Sequence, residues 1–313
     1  MKSIIIIIPY FGKLPPIFKF WRQSAINNPT IDFLFFTDCN IQSTDNIKVI
    51  KCTFEVLREK FQSRFDFPIS LPSPYKLCDF KVTYGYVFQD YIQDYDFWGF
   101  GDIDLIYGNI RHFLTEEVLN QYFIISGWGH LTLYRNNEFC NSFFRTHENG
   151  FQYYKKVLSC SKNSAFDEYN HKGMSDKWTQ LYPEQIWNSK LFDDIQVPRL
   201  SLNFVSVMHP ERTNLIFEYN ENRLYRIYHD ENGKRRREET LYAHFQQRKF
   251  MKIETNNLQH YLIVPNKFIN FENIDEKRLN YWGKKQTYKR LVRNLINRIK
   301  RRSSIILSSI VQQ

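Results

Sequence analysis

The sequence predicts an α/β fold, with a mixed, mostly parallel central sheet flanked by helices. Continuous apolar runs at Ile4–Ile8 and in "IDFLFFTD", which ends at Asp38, are typical of strands that are buried on both faces. Between them, "IFKFWRQSAINN" has the apolar spacing of a helix. A strand, a helix and a second strand in this order form the unit from which parallel sheets are built.

The later segments extend this pattern. "NIKVIKC" predicts a short third strand, and "PYKLCDFKVTYGYVFQDYIQDY" predicts a helix that leads into the strand "DFWGFGDID". Two short strands are expected around the Gly-Trp-Gly corner of "YFIISGWGHLTLYRN", followed by helices and a polar loop between Glu138 and Leu191. From Leu200 to His244 the pattern is β again, with a hairpin whose turn is "ENG".

A pair of aspartates follows the strand "FWGFG". Asp102 and Asp104 are two residues apart, so on an extended chain both side chains point the same way. Paired carboxylates suit Mg²⁺ or Mn²⁺, which complete their coordination with phosphate oxygens of a substrate. Pro9–Gly12 and Asp38 also follow predicted strands, and ligands bind at the carboxyl ends of parallel strands. Alternatively, the aspartates cap the short helix near "GNIRHF" or lie exposed at a strand end.

The positive charge is concentrated at the end of the chain. The net charge is +10, but eleven Lys and Arg residues lie between Lys277 and Gln313, where there is no Asp or Glu, so residues 1–276 carry −1. Five separated cysteines without a CxxC pair argue against disulfide-bonded and zinc-binding classes and favour a reducing cytoplasm. No run approaches the roughly 20 apolar residues that span a bilayer.

Four segments, "YKLCDFK", "DYDFWGFGDIDLIYGNI", "GHLTLYRN" and "HFQQRK", resemble bacterial glycosyltransferase-like proteins found with surface-polysaccharide genes. More distantly, the order of the motifs is similar to glycosyltransferase family 8 and other enzymes of the GT-A fold. The resemblance covers most of residues 1–265. It implies a GT-A-like (Rossmann-like) domain over residues 1–270, with a nucleotide-binding half over about 1–135 and an acceptor half over about 136–270 that includes the β-hairpin. Residues 271–313 form a separate C-terminal tail.

The resemblance also implies a set of metal ligands. Asp102 and Asp104 correspond to the D-x-D motif, with Asp102 contacting metal, ribose or both, and His244 corresponds to the late histidine ligand of family 8. Arg248 and Lys249 supply cations for the diphosphate. The chain lacks the glycine-rich segment that family 8 carries between its histidine and lysine. A structural histidine at the end of a hairpin strand is the alternative for His244.

The nucleotide of the donor is expected against the loop after the first strand. Tyr10 or Phe11 stacks on the base and Asp38 accepts a hydrogen bond from the base or ribose, unless these residues serve core packing and a turn. Lys76 and Asp79, three residues apart on a helix, either line the nucleotide pocket or form only a salt bridge.

The acceptor side is expected at two further segments. Trp128, Gly129 and His130 form a corner on which a sugar ring can stack, although a tryptophan beside glycines is also ordinary packing. The polar loop "FDEYNHKGMSDKW" offers Asp167, Glu168 and Asp176 for acceptor contacts or as a general base, unless it is only a solvated loop.

The expected activity is therefore that of a metal-dependent hexosyltransferase. It would move a hexose from a nucleotide-diphosphate sugar, with UDP as the expected nucleotide, to a capsule, lipopolysaccharide or lipid-linked oligosaccharide acceptor. The resemblance to family 8 favours retention of configuration. Two other readings stay open: a nucleotidyltransferase of sugar phosphates, and a non-catalytic nucleic-acid-binding protein, although the near-neutral body disfavours the latter.

The C-terminal tail predicts attachment to a membrane. Apolar residues recur at helical spacing and are surrounded by basic ones, and Tyr281 and Trp282 precede them. Such a helix lies on an anionic membrane, which would place a cytoplasmic enzyme on the inner face of the cytoplasmic membrane. The alternative is a helix that packs on the domain. The members of the predicted stripe are Leu291, Val292, Leu295, Ile296 and Ile299, flanked by Arg290, Arg293, Arg298, Lys300 and Arg301.

Overall fold

The computed structural model describes residues 1–197, 202–246, 248, 251–283, 292–293 and 295–297. The chain forms two compact units: an N-terminal unit, Met1–Leu191, and a C-terminal unit, Phe192–Gln313. The units therefore divide later in the chain than the change near residue 135 that the sequence suggested.

The N-terminal unit, which is described throughout, is a mixed α/β structure. Its strands are β1 (Ile4–Pro9), β2 (Ile31–Thr37), β3 (Ile47–Lys51), β4 (Phe97–Gly101), β5 (Leu105–Tyr107), β6 (Ile124–Trp128), β7 (Leu131–Arg135) and β8 (Ile186–Trp187). The central sheet has the strand order β3-β2-β1-β4-β7-β6-β8. Strand β1 is parallel to β2 and β4, and β2 is parallel to β3, whereas β7 is antiparallel to both β4 and β6.

Helices pack on the sheet and connect its strands. They are α1 (Phe18–Ile26), α2 (Phe54–Gln62), α3 (Tyr84–Val87), α4 (Gln89–Ile92), α5 (Ile110–Phe113), α6 (Glu116–Gln121), α7 (Glu138–Ser142), α8 (Tyr154–Ser159) and α9 (Met174–Leu181), with 3₁₀ helices at Pro74–Thr83, Phe143–Arg145 and Pro183–Gln185. The single helix predicted before β4 is thus a 3₁₀ helix followed by two short α-helices. A 3₁₀ helix eclipses side chains three residues apart, which suits the buried pair of Lys76 and Asp79.

The core explains why the first strands lack polar alternation. Ile5 and Ile7 of β1 belong to an apolar cluster with Trp98 of β4, so one face of the sheet is covered. On β2, Phe33 and Phe35 pack edge-on against Trp21 of α1 at ring-centroid distances of 5.5 and 5.3 Å. Both faces of the central strands are therefore buried, as the continuous apolar runs predicted.

The C-terminal unit is built mainly of antiparallel strands. Its strands are β9 (Asp193–Asp194), β10 (Thr213–Asn220), β11 (Arg223–His229), β12 (Arg235–Thr240), β13 (Tyr242–His244), β14 (Lys252–Glu254), β15 (His260–Val264) and β16 (Lys267–Asn270). Within the described residues, one sheet has the order β12-β11-β10-β15-β16-β14, and β13 pairs in parallel with β9. The predicted hairpin is confirmed, because β10, β11 and β12 are antiparallel neighbours.

Residues 276–283 are helical and contribute to the core of the C-terminal unit. Trp282 is only 7 % exposed and packs with Ile216 and Leu279, whereas Tyr281 is exposed. The prediction that Trp282 lies at a membrane interface is therefore wrong, because its ring is used in the protein core. No helix in the described part of the chain has the length and hydropathy needed to cross a membrane.

Candidate functional site

The carboxyl ends of β1, β2 and β4 meet at one edge of the N-terminal sheet, because the three strands are parallel. The segment Tyr10–Gly12 follows β1, Asp38 follows β2, and Asp102 follows β4. Strand β7 runs the other way and begins at this edge, and the backbone N–H of Asp102 donates to the carbonyl of His130 at 3.0 Å. The fold thus brings together four segments that the sequence assigned to a ligand site.

Asp102 and Asp104 present their carboxylates together. Each offers a carboxylate oxygen, and these oxygens lie within 4.8 Å of one another. The side chain of Asp102 is 35 % exposed, so it is accessible from solvent. Two hard oxygen donors on an open edge fit Mg²⁺ or Mn²⁺, which take one or two protein carboxylates and complete their shell with water and phosphate oxygens.

Lys81 is a member of the site that the sequence analysis missed. Its Nζ donates to Asp102 Oδ1 and to the carbonyl of Gly129, both at 2.7 Å, and lies 3.7 Å from Asp167 Oδ2. Burial alone would lower the pKa of Lys81, but the carboxylates of Asp102 and Asp167 outweigh it and raise that pKa. A signal existed in the sequence, since a lysine in an apolar segment needs a charged partner once it is buried.

Asp167 is buried beside this ammonium. Its burial, together with the charges of Glu168 and Asp102, raises the pKa of Asp167 to about 8, although Lys81 acts in the opposite direction. The residue is 3 % exposed, so its carboxyl does not reach solvent where an acceptor would lie. The structure therefore makes Asp167 a partner of Lys81, in place of the predicted base that contacts the acceptor.

Glu168 is exposed next to Asp167. Its carboxylate lies directly over Gly129, where an added Cβ would come within 2.8 Å of Glu168 Oε1. A glycine at this corner therefore allows the carboxylate to approach the backbone. Of the three predicted acidic residues of this loop, Glu168 is the one whose side chain faces the open edge.

The polar loop that carries these acids, residues 166–178, is called the acidic loop below, and it is held in place by Asp176. The carboxylate of Asp176 accepts the backbone N–H groups of Asn170 and His171 at 3.0 Å and that of Lys172 at 2.7 Å. Asn170 and Lys172 have positive φ angles of 64° and 58°, so the loop needs such support. Asp176 thus stabilises the loop, and its role as a general base stays a prediction.

Lys76 and Asp79 form the salt bridge that the sequence left as an alternative. Their charged atoms are 2.6 Å apart, and both side chains are fully buried. Asp79 also accepts the backbone N–H groups of Ser164 and Phe166 at 2.9 and 3.0 Å. Because every one of these contacts is internal, the pair fixes the start of the acidic loop, and the prediction that it lines a nucleotide pocket is corrected.

The segment after β1 lies close to Asp104 and Asp38. Asp38 Oδ1 accepts the N–H of Gly12 at 3.1 Å, and Gly12 has a φ of 103°, which favours glycine. The phenol of Tyr10 donates to the carbonyl of Lys13 at 2.8 Å. Burial raises the pKa of Tyr10, and the nearby Asp104 and Asp38 act in the same direction. Phe11 packs edge-on against Phe54 at a centroid distance of 5.4 Å, which supports its core-packing alternative.

The corner before β7 carries three neighbouring aromatic rings, of which that of His130 is buried and those of Trp128 and Tyr169 are partly exposed. The rings of Trp128 and His130 are nearly parallel, with centroids 6.1 Å apart, and Tyr169 lies 4.6 Å from Trp128. Trp128 Nε1 donates to Asn188 Oδ1 at 3.3 Å. Ser126 and Gly127 before the corner have positive φ angles of 74° and 72°, so the backbone turns sharply to present these rings.

Over residues 6–272 the chain matches a family described as a family of unknown function, DUF6625. The chain belongs to this family. No curated protein matches it. Family membership assigns no chemistry, so the activity of this DUF6625 protein has to be inferred from its site.

In the C-terminal unit of the DUF6625 protein, His244 is held by a carboxylate. Its Nδ1 lies 2.8 Å from Asp194 Oδ1, which also accepts from Gln246 Nε2 at 2.9 Å. Strand β13 places His244 opposite Asp194 of β9. A carboxylate partner of this kind orients histidines that bind metals, but it also stabilises structural ones. The role of His244 as a ligand stays a prediction.

Arg248 is buried within the same unit. Its Nη2 donates to the carbonyls of Gln196 and Asn203 at 2.8 and 3.1 Å, and its Nη1 donates to Asn266 Oδ1 at 2.9 Å. Burial lowers the pKa of Arg248 to about 10. The guanidinium is used to fix loops, so its prediction as a diphosphate ligand is corrected. Lys249 lies outside the described residues.

We expect Asp79→Ala to lower the free energy of unfolding by about 3–5 kcal/mol, because it leaves the ammonium of Lys76 buried without its partner. Urea denaturation followed by circular dichroism measures the loss. Asp66→Ala is the matched control, because the side chain of Asp66 is 83 % exposed and its contact with Lys155 is long, at 3.8 Å. Equal effects of the two substitutions would contradict a structural role for the pair.

The pKa of Asp167 also predicts how stability changes with pH. The folded protein keeps the proton of Asp167 up to about pH 8, whereas the unfolded chain loses it near pH 4, at about the ordinary pKa of an aspartate. The contribution of this group to stability therefore falls as the pH rises between these values. Urea midpoints measured from pH 5 to pH 8 should fall more steeply for wild type than for Asp167→Asn. Parallel curves, as expected of the exposed control Asp66→Asn, would show that Asp167 titrates normally.

Proposed function

We propose that this DUF6625 protein is a metal-dependent glycosyltransferase of GT-A-like fold, which transfers a hexose from a nucleotide-diphosphate sugar to a surface-glycan acceptor. UDP is the nucleotide and a polysaccharide or lipid-linked oligosaccharide is the acceptor in this proposal. The observation that carries it is the convergence of Asp102 and Asp104 with the segments after β1 and β2 at one open edge of the sheet. Parallel α/β sheets bind nucleotides at such edges.

The charge of this edge supports a need for a cation. Asp38, Asp102, Asp104 and Glu168 carry carboxylates there, and Lys81 is paired with Asp102. A diphosphate would be repelled by this surface unless a divalent cation is bound. When it is bound, Mn²⁺ or Mg²⁺ neutralises negative charge on the departing diphosphate. Asp102 and Asp104 are the residues of the N-terminal unit that would hold it.

The remaining residues of the edge supply recognition in this proposal. Tyr10 and Asp38 contact the nucleoside, because the phenol and the carboxylate lie on the loops next to Asp104. Trp128, which is partly exposed, offers an aromatic face to a sugar, and His130 is buried behind it and supports its ring. His244 is retained as a further ligand on the strength of the sequence resemblance.

The acidic loop bears on the stereochemistry of transfer. An inverting reaction needs a base that reaches the acceptor hydroxyl. Asp167 is buried and Asp176 caps the loop, which leaves Glu168 as the exposed carboxylate of the three. Two of the three candidate bases are thus in contact with groups of the protein itself, so we propose retention of configuration.

Isothermal titration of nucleotide sugars with and without Mn²⁺ tests the proposed site. We expect binding of at least one UDP-sugar to require Mn²⁺, and Asp104→Asn to weaken it about tenfold or more, because a carboxylate ligand of the cation is lost. Asp94→Asn is the matched control, since Asp94 is exposed and precedes β4 at the opposite end of the strand. If no donor binds in a Mn²⁺-dependent manner, the proposed function is wrong.

We also propose that the C-terminal tail attaches the enzyme peripherally to the inner face of the cytoplasmic membrane. Of the predicted stripe, Val292, Leu295 and Ile296 are described as helical, and all three are exposed. Exposed apolar side chains among basic residues favour an anionic lipid surface. Leu291, Ile299 and the flanking Arg290, Arg298, Lys300 and Arg301 lie outside the described residues.

Truncation after Gly283 should release the protein from vesicles that contain phosphatidylserine while leaving donor binding unchanged, because Trp282 and the core of the unit are retained. Cosedimentation with vesicles measures the release. In the full-length chain, replacing Leu295 and Ile296 with Gln keeps every charge and should still weaken binding, since apolar burial is lost. A truncated chain that sediments as well as wild type would refute the attachment.

A further inference from the structure

The ammonium of Lys81 lies between two carboxylates of unequal exposure. It bonds Asp102 Oδ1 at 2.7 Å and stands 3.7 Å from Asp167 Oδ2. The side chain of Asp102 is 35 % exposed, whereas that of Asp167 is 2 % exposed. Lys81 therefore occupies the accessible carboxylate and stops just short of hydrogen-bond distance from the buried one.

The buried carboxyl is poorly satisfied. Asp167 Oδ1 is inaccessible to solvent and has no hydrogen-bond partner in the part of the chain that the structure describes. A buried polar atom without a partner is costly, so the carboxyl of Asp167 would gain from a donor that came closer. The nearby cation is Lys81, and a shift of about 1 Å in its flexible side chain would bring Nζ within hydrogen-bond distance of Oδ2, the other oxygen of the same carboxyl.

The carbonyl of Gly129 completes the arrangement. It accepts from Lys81 Nζ at 2.7 Å, so it anchors the ammonium near both carboxylates. The Lys81 side chain is 14 % exposed, and the ring of Phe100 lies 5.3 Å from its Nζ, so other positions for the charge are limited. Two discrete partners within reach of one anchored cation make an exchange between them possible.

We propose that Lys81 and Asp167 are positioning residues that set the affinity of the Asp102–Asp104 pair for divalent cations. Lys81 bonds Asp102 when the pair holds no cation, and it moves to Asp167 when the pair holds one. This inference rests on the proposed function in that it takes Asp102 and Asp104 as the metal ligands.

Electrostatics gives the direction of each step. A divalent cation at Asp102 and an ammonium on the same carboxylate repel each other, so binding is opposed unless the ammonium has another partner. Asp167 offers that partner, because its Oδ2 lies only 3.7 Å from Lys81 Nζ. Lys81 thus competes with the cation, while Asp167 lowers the cost of displacing Lys81.

The experiment is a titration with Mn²⁺ alone, with free Mn²⁺ measured by electron paramagnetic resonance and no nucleotide sugar present. It uses the full-length wild type, Lys81→Gln, Asp167→Asn and the double variant. Glutamine keeps a donor for the carbonyl of Gly129 but removes the charge, and asparagine keeps the shape of Asp167. We expect Lys81→Gln to tighten Mn²⁺ binding about tenfold and Asp167→Asn to weaken it several-fold, on the order of one screened charge interaction.

The double variant separates this mechanism from a direct electrostatic effect of residue 167 on the bound cation. If Asp167 acts by receiving Lys81, Asp167→Asn should have little effect once residue 81 is uncharged, so the two substitutions are strongly non-additive. Additive effects, or a Lys81→Gln variant that binds Mn²⁺ no better than wild type, would overturn the inference. Thermal unfolding of each variant confirms that the comparison is made on folded protein.

A second readout does not need a folded Lys81 variant. The ¹⁵N signal of the Lys81 ammonium should shift when Mg²⁺ is added to wild type and should shift less in Asp167→Asn, because the new partner is missing. An equal shift in both proteins would contradict the exchange.

Failure of the metal site itself gives a different result. Wild-type protein that binds no Mn²⁺, or binding that Asp104→Asn leaves unchanged, would overturn the proposed metal site together with this inference. Mn²⁺ binding that Asp104→Asn abolishes, combined with an additive cycle, would leave the proposed site standing and remove the roles given to Lys81 and Asp167.

Discussion

The candidate site of the N-terminal unit depends on the interaction between the ammonium of Lys81 and the oxygen atoms around it. Its ammonium joins Asp102 at the end of β4, the carbonyl of Gly129 at the corner before β7, and Asp167 of the acidic loop. Without this cation, the carboxylate of Asp102 would lose its charged partner, and the buried carboxyl of Asp167 would lose the nearby cation that acts against its raised pKa. One side chain therefore allows an acidic edge to exist on an otherwise apolar sheet.

A second ion pair, between Lys76 and Asp79, holds the acidic loop in the position that this arrangement requires. Asp79, neutralised by Lys76, accepts two backbone N–H groups at the start of the acidic loop, and Asp176 accepts three more further along it. The loop contains left-handed residues that would not hold their conformation alone. Residues that look like candidates for catalysis in the sequence thus serve to place Asp167 and Glu168.

The strands and the placement of the D-x-D pair were predictable from the sequence, because both follow from local rules. The isoleucine run of β1 and the aromatic run of β2 are buried on both faces, and a residue that follows a parallel strand must emerge at the carboxyl edge. The hairpin of β10, β11 and β12 was predictable for the same reason, since alternation and a turn signal lie within one short segment. The GT-A-like arrangement and the activity remain proposals that rest on this edge.

The sequence by itself determined the buried strands β1, β2 and β4, the hairpin of β10, β11 and β12, the acidic pair after β4 and the concentration of positive charge in the last residues. The tertiary structure alone decided which charged side chains form ion pairs and hydrogen bonds inside the protein. Lys76, Asp79, Asp176 and Arg248 are engaged by backbone groups or by one another, while Lys81 was overlooked and lies in the site. The physical reason is that the partner of a buried charge is often far away in the chain, as Asp102 and Asp167 are from Lys81, and periodicity carries no information about such distant contacts.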